Sequence, residues 1–315
     1  VHNYNGFLPL YNKIFSQYYV YFSSFFMNLH FLSDRALPMN GRPQGKSLGF
    51  RALVAIGMAL ISIVSYCNSS SVNEVTGETQ YVKISPQQEI AMGLQATPQV
   101  VQQHGGITRD ARAKSLVQGI CQKMASLPIV RKSGYPFEFH VLADEKTINA
   151  FALPGGQTFI TMALLRRLTT EGQIAGVMGH EIAHVLARHG AQRLAKQELT
   201  QGLSGAAAAA AYDPDNPNSM KTVQAAMLIG NLVNMKYGRD DEIESDRIGI
   251  RLMSEAGYDP RSMIRVMQVL AEASGGGARQ PEFFSTHPNP DNRIARIEET
   301  IRQLYPNGVP PGMKP

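Results

Sequence analysis

The chain has little cysteine: two among 315 residues. That excludes a disulfide framework as the source of its stability. Cys121 falls in a helical pattern with Leu116, Ile120 and Met124 and reads as a buried thiol. Lysine and arginine never gather into a block, and no aromatic platform accompanies them. The net charge of +5 therefore gives no reason to expect a nucleic acid partner. The apolar run Ala52 to Val64 is short for a comfortable membrane span. No motif for gripping a free amino terminus is evident, which counts against an exopeptidase. The length suits one sizeable domain plus extensions.

What is present is sharper. His180-Glu181-Ile182-Ala183-His184 reads H-E-x-x-H. Residues four apart share one face of a helix, so two imidazoles stand side by side, ready for one zinc ion. Glu181 is placed to serve as general base at that centre. Val177, Met178, Ile182, Val185 and Leu186 flank the motif, so the helix, expected over Glu171 to about Glu198, is apolar and buried. Buried polar groups need partners, and paired core histidines with Glu181 in a salt bridge would be the plain alternative. His189 lies about 140° around a continuous helix from His184, which makes it a structural residue rather than a ligand.

A catalytic zinc normally takes three protein ligands. The acidic stretch Arg239-Asp240-Asp241-Glu242-Ile243-Glu244-Ser245-Asp246-Arg247 opens a second helix downstream. Glu242 and Asp246 share a face, and Glu244 points nearly opposite to Glu242. One same-face carboxylate can bind zinc while the other orients a ligand histidine through its ring N–H. Acid at a helix N-terminus is also what the macrodipole favours, and periodicity does not choose between Glu242–Asp246 and Asp240–Glu244.

H-E-x-x-H followed by E-x-x-x-D resembles the gluzincin family that includes the CAAX prenyl protease, HtpX and the mitochondrial Oma-type peptidases. Asn149-Ala150-Phe151-Ala152-Leu153-Pro154-Gly155-Gly156 resembles that family's Asn-Ala-Phe-Ala-x-Pro-Gly-Gly segment. Ser285-Thr286-His287-Pro288 with Arg293-Ile294 resembles its late Ser-Thr-His-Pro segment. The resemblance runs from about Pro86 to Leu304. It implies an α+β, mainly helical, zincin-like domain over 85–305 with a small β-sheet beside the active-site helix. It further implies Glu242 as third ligand to a single Zn2+ and Asp246 as its helper. The family's Ser before that Glu is absent here, where Gly238-Arg239 stands. His287 is expected either to donate to developing negative charge or to fill zinc's open position in a closed resting form. Asn149, Ala150, Phe151 and Ala152 are expected as an edge strand that pairs with an extended substrate.

Within that family the chain looks most like bacterial periplasmic and lipoprotein members, without the C-terminal helical repeats that some carry. Residues 1–38 read as a non-native extension, with translation starting at Met39. Residues 39–67 read as a signal: Arg42, Lys46 and Arg51 are its basic region, and Val64-Ser65-Tyr66-Cys67 is lipobox-like, with Cys67 as the lipid-bearing residue. Residues 68–84 read as a tether, 306–315 as a tail, and the region between the two motif helices as a lid or a plain connector. The expected function is a zinc endopeptidase acting on unfolded or misassembled cell-envelope proteins, membrane-associated in the bacterial periplasm. The competing class is a zinc-binding assembly factor or chaperone that does not cut.

Overall fold

The computed structural model describes residues 48–212, 237–275, 281–288 and 292–315, and Leu48–Pro315 makes up one unit. The helices start where local chemistry dictates. Helix α1 spans Leu48–Cys67, followed by strands β1 (Ser70–Val72) and β2 (Thr79–Tyr81). Helix α2 (Pro86–Gln103) begins with a full capping box between Ser85 and Gln88. Helix α3 (Ala111–Ala125) is capped by Asp110. The Thr108 N–H is given to Val141 O, which ties the α3 entry to the sheet. The short helix α4 (Pro128–Lys132) leads to β3 (Glu138–Leu142), β4 (Ala150–Ala152) and β5 (Gln157–Thr161).

These last three strands form a sheet in the order β3-β5-β4, with β3 parallel and β4 antiparallel to β5. The Pro154-Gly155-Gly156 turn closes the β4–β5 hairpin. Gly155 has φ +83°, and a Cβ there would overlap the backbone of Ile90, so the turn docks directly on α2. Strand β5 is buried along its whole length, while β3 and β4 are the two edges of the sheet. Helices α5 (Met162–Leu165), α6 (Glu171–Leu186), α7 (His189–Ala211), α8 (Arg239–Glu255), α9 (Ser262–Gly275), α10 (Phe283–Thr286) and α11 (Arg293–Leu304) complete the unit. The core lies around α6: Ile174, Met178 and Ile182 meet Met124, Ile160, Ile250, Met253 and Leu270.

Several expectations change. The helix expected over 171–198 is broken: α6 ends at Leu186, Arg188 adopts φ +58°, and α7 starts at His189. Nothing in hydrophobic periodicity marks a left-handed arginine. Helix α1 is 20 residues long and, by length and composition, apolar enough to cross a membrane, because Gly49-Phe50 and Ser65-Tyr66 extend the helix past the strictly apolar run. At about 1.5 Å per residue it spans about 30 Å. It lies along α7, with Leu53, Ile56, Leu60 and Ile61 exposed. The expected tether contains the β1–β2 hairpin, whose loop residue Asn73 donates to Leu186 O at 2.9 Å. Most of the proposed lid (213–236) and the loop from Asp213 to Pro217 lie outside the described residues.

Candidate metal centre

Helix α6 is capped by Thr170, whose side chain accepts from Gln173 N. It runs through the core and exposes almost nothing: His180, Glu181 and His184 are each 2% exposed or less. Helix α8 crosses it with backbone against backbone at Gly179 and Gly249. That close approach carries Glu242, two turns earlier on α8, onto the histidines.

The Nε2 atoms of His180 and His184 face each other at 3.0 Å. Glu242 Oε2 lies 3.4 Å from the first, and Glu242 Oε1 lies 3.5 Å from the second. His180 Nδ1 is 2.9 Å from Asp246 Oδ1, and His184 Nδ1 is 2.9 Å from His189 Nδ1. With both Nδ1 atoms engaged by outer partners, the two Nε2 atoms and a carboxylate converge on one point. Such a convergence calls for a cation. Donors of a tetrahedral ion with bonds of about 2.0–2.1 Å sit about 3.3 Å apart, and the spacing here brackets that value. His180, His184, Glu242 and His287 are a buried group whose donor atoms all lie within 4.8 Å of one another.

His287 sits over this group. Its Nδ1 is 3.0 Å from Glu242 Oε1, and its ring stacks on Phe283 at 4.5 Å. Its Nε2 reaches to 3.7 Å from Glu181 Oε1 without a hydrogen bond. Both carboxylate oxygens of Glu181 are buried without a hydrogen-bond partner. Burial raises the Glu181 pKa, an effect that His287 and His180 partly offset. Burial opposes the charging of His180, yet Asp246 and Glu242 outweigh it and lift that ring to about 9. His184 goes the other way: burial carries it well below the usual range against the pull of Glu242. Burial would raise Glu242, but the three imidazoles hold it far below the ordinary carboxylate range.

The ambiguity between carboxylate pairs is resolved by α8's rotation. Glu242 and Asp246 are buried against the histidines, whereas Asp240 is exposed. Two residues escaped sequence reasoning. Arg293, 2% exposed, grips Asp246 with Nε and Nη2 at 2.7 and 2.8 Å and brings Nη1 within 3.1 Å of Glu242 Oε2. Its only signal was its position after the Ser-Thr-His-Pro segment. Tyr237 stacks on His184 at 4.2 Å. His189 stands outside the buried group of donors, and its contact with His184 was not foreseen.

The strand expected to bind substrate, β4, is one of the sheet's two edges. Asn149 and Ala150 are buried, and Phe151 stacks on Phe159 at 5.1 Å. Ala152, Leu153 and Pro154 share a narrow cleft with His184 and Tyr237. Cys121 is buried, and burial pushes its thiol up, as befits an inert core residue.

Residues 111–301 match Peptidase family M48. The chain belongs to that family. Family M48 members are metallopeptidases, so a metal ion is the expected occupant of the group of donors described above. The chain is 33% identical over 174 residues to the beta-barrel assembly-enhancing protease of Escherichia coli K12, covering 54% of this chain and 36% of that protein. It is 34% identical over 169 residues to the mitochondrial metalloendopeptidase OMA1 of Schizosaccharomyces pombe, covering 54% of this chain and 48% of that protein. The chain thus spans between a third and a half of the length of these M48 relatives.

Proposed function

We propose that this M48 chain is a zinc-dependent endopeptidase. The observation that carries the reading is the convergence of the two Nε2 atoms and the Glu242 carboxylate beside Glu181, whose two oxygens have no hydrogen-bond partner. His180, His184 and Glu242 would hold the ion, an N,N,O set that suits zinc. Asp246, itself gripped by Arg293, would fix the His180 ring with Nε2 turned inward. Zinc bound there supplies Lewis acidity that polarises a scissile carbonyl and acidifies an attacking water. Glu181 accepts the proton of that water at a carboxylate oxygen and returns it to the leaving amide nitrogen. Its raised pKa suits both halves of the transfer.

In a resting form, His287 would fill the space above Glu181, where its Nε2 stands 3.7 Å from Glu181 Oε1. Movement of the α10 segment would free that space for a peptide. Strand β4, an edge strand ending at the cleft beside His184, would pair with the peptide backbone, giving little sequence preference. A relative named for beta-barrel assembly supports unfolded or misassembled envelope proteins as substrates. The exposed apolar face of α1, with Cys67 exposed at its end, supports a position at the membrane of the bacterial envelope.

Glu181→Gln tests the reading. Hydrolysis of unfolded casein should fall by roughly 100-fold or more, with one zinc per chain retained. Undiminished cleavage would exclude Glu181 as the base. Binding of unfolded protein by the wild type without any cleavage would favour the assembly-factor class.

A further inference from the structure

His184 and His180 lie in the same group, yet only His180 has a carboxylate on its outer nitrogen. The outer nitrogen of His184 meets a third imidazole. His184 Nδ1 is 2.9 Å from His189 Nδ1, and the His189 ring is 1% exposed. The far nitrogen of that ring, Nε2, is 3.3 Å from Glu244 Oε2, with Asp241 Oδ1 next at 4.0 Å. Ser245 Oγ also reaches His189 Nδ1, at 3.3 Å.

The direction of this chain of hydrogen bonds follows from counting protons. A ring that offers Nε2 to a metal must carry its proton on Nδ1. The His184 Nδ1–H therefore donates, and His189 Nδ1 must be the acceptor. His189 then carries its proton on Nε2, where Glu244 is the acceptor. The opposite tautomer of His189 would place two N–H groups head to head and leave Glu244 without its donor. We propose that His189 and Glu244 are positioning residues: an imidazole bridge that transmits the orienting effect of the Glu244 carboxylate to His184. Helix α8 then supplies the outer carboxylate of both rings, Asp246 directly and Glu244 through His189. This inference rests on the proposed metal-binding role of His184.

The break between α6 and α7 makes the bridge possible. On a continuous helix His189 would point away from His184. The left-handed conformation of Arg188, φ +58° and ψ +30°, turns the chain back. Such a conformation costs a non-glycine residue about 1–3 kcal/mol and persists because its side chain is held. Arg188 Nε donates to Glu89 Oε2 at 2.8 Å and Nη2 to Ile84 O at 2.6 Å, while Tyr135 donates to the same Glu89 oxygen at 2.6 Å.

The test uses the full chain and zinc. Zinc affinity is measured by chelator competition in wild type, His189→Leu, His189→Asn and Glu244→Ala, alongside casein hydrolysis and circular dichroism. Loss of an outer partner typically weakens metal binding 10- to 100-fold, and His189→Leu and Glu244→Ala should each fall roughly in that range. His189→Asn, which keeps an acceptor near the Nδ1 position, should recover part of the loss. Unchanged affinity in both His189→Leu and Glu244→Ala would overturn the bridge while leaving the peptidase reading intact. Should those variants not fold, nitrogen-15 histidine spectra of the zinc-loaded wild type decide: His189 must be the Nε2–H tautomer, and an Nδ1–H tautomer refutes the proposal. A wild type that neither binds zinc nor cleaves casein would overturn the peptidase reading and the bridge together.

Discussion

Adding one methyl group where α8 crosses the backbone of α6 should damage the metal centre. A Cβ on Gly249 would stand 2.9 Å from His180 N and 3.1 Å from both Gly179 C and His180 Cα. These are backbone atoms in the middle of α6 and cannot step aside as a flexible side chain would. Ordinary contact begins near 3.4 Å, so α8 must move off α6 by about 0.5 Å or more. Glu242 travels with α8, and metal–ligand distances tolerate only about 0.2 Å. Two opposing terms set the stability. Glycine to alanine inside a helix gains about 1 kcal/mol, whereas overpacking costs about 1–3 kcal/mol. Gly249→Ala should therefore lose between about 0 and 2 kcal/mol while zinc affinity falls roughly 10-fold or more, on the scale of losing an outer partner. Gly119→Ala is the control: it lies on α3 with nothing within 4 Å. It should gain about 1 kcal/mol and leave zinc binding unchanged. Urea unfolding of the metal-free proteins and chelator-buffered zinc titration measure both quantities. A Gly249→Ala protein with a higher urea midpoint and wild-type affinity would show that the helix crossing is not what places Glu242.

Other consequences are equally concrete. His287→Ala should speed hydrolysis of a short fluorogenic peptide, since the imidazole covers Glu181 in the resting form; a loss of rate with unchanged zinc affinity would instead assign His287 the donor role. Arg293→Met removes the cation between two buried carboxylates, Asp246 and Glu242, and should cost about 3–5 kcal/mol in urea unfolding of the metal-free protein. Zinc should restore part of that loss by supplying positive charge, and a variant insensitive to zinc would contradict the assignment. In the metal-free protein His180 is held at about 9 against an ordinary value near 6.5, so it is protonated at pH 7. Zinc uptake at pH 7 should then release about one proton per ion, read by calorimetry in buffers of different ionisation enthalpy. The same shift makes His180 stabilise the metal-free fold fully below pH about 6.5, and that contribution should fade as pH rises through about 9.

The sequence alone determined which helices carry the candidate donors. H-E-x-x-H and E-x-x-x-D have a fixed meaning on any helix, because residues four apart must share a face. The capping box at Ser85 and the Pro154-Gly155-Gly156 turn are local too: they depend on dihedral angles and neighbouring donors. Tertiary structure alone decided the rest. Which carboxylate pair faces the histidines depends on how α8 is rotated, and that follows from where Gly249 lets it touch α6. Arg293 enters the site from the last helix, with no spacing rule to announce it. The turn at Arg188 is held by Glu89 and Ile84, about a hundred positions earlier in the chain, so no local pattern could place His189 against His184. Periodicity describes one helix at a time, whereas a metal centre is assembled from groups whose distances are fixed only when separate helices pack.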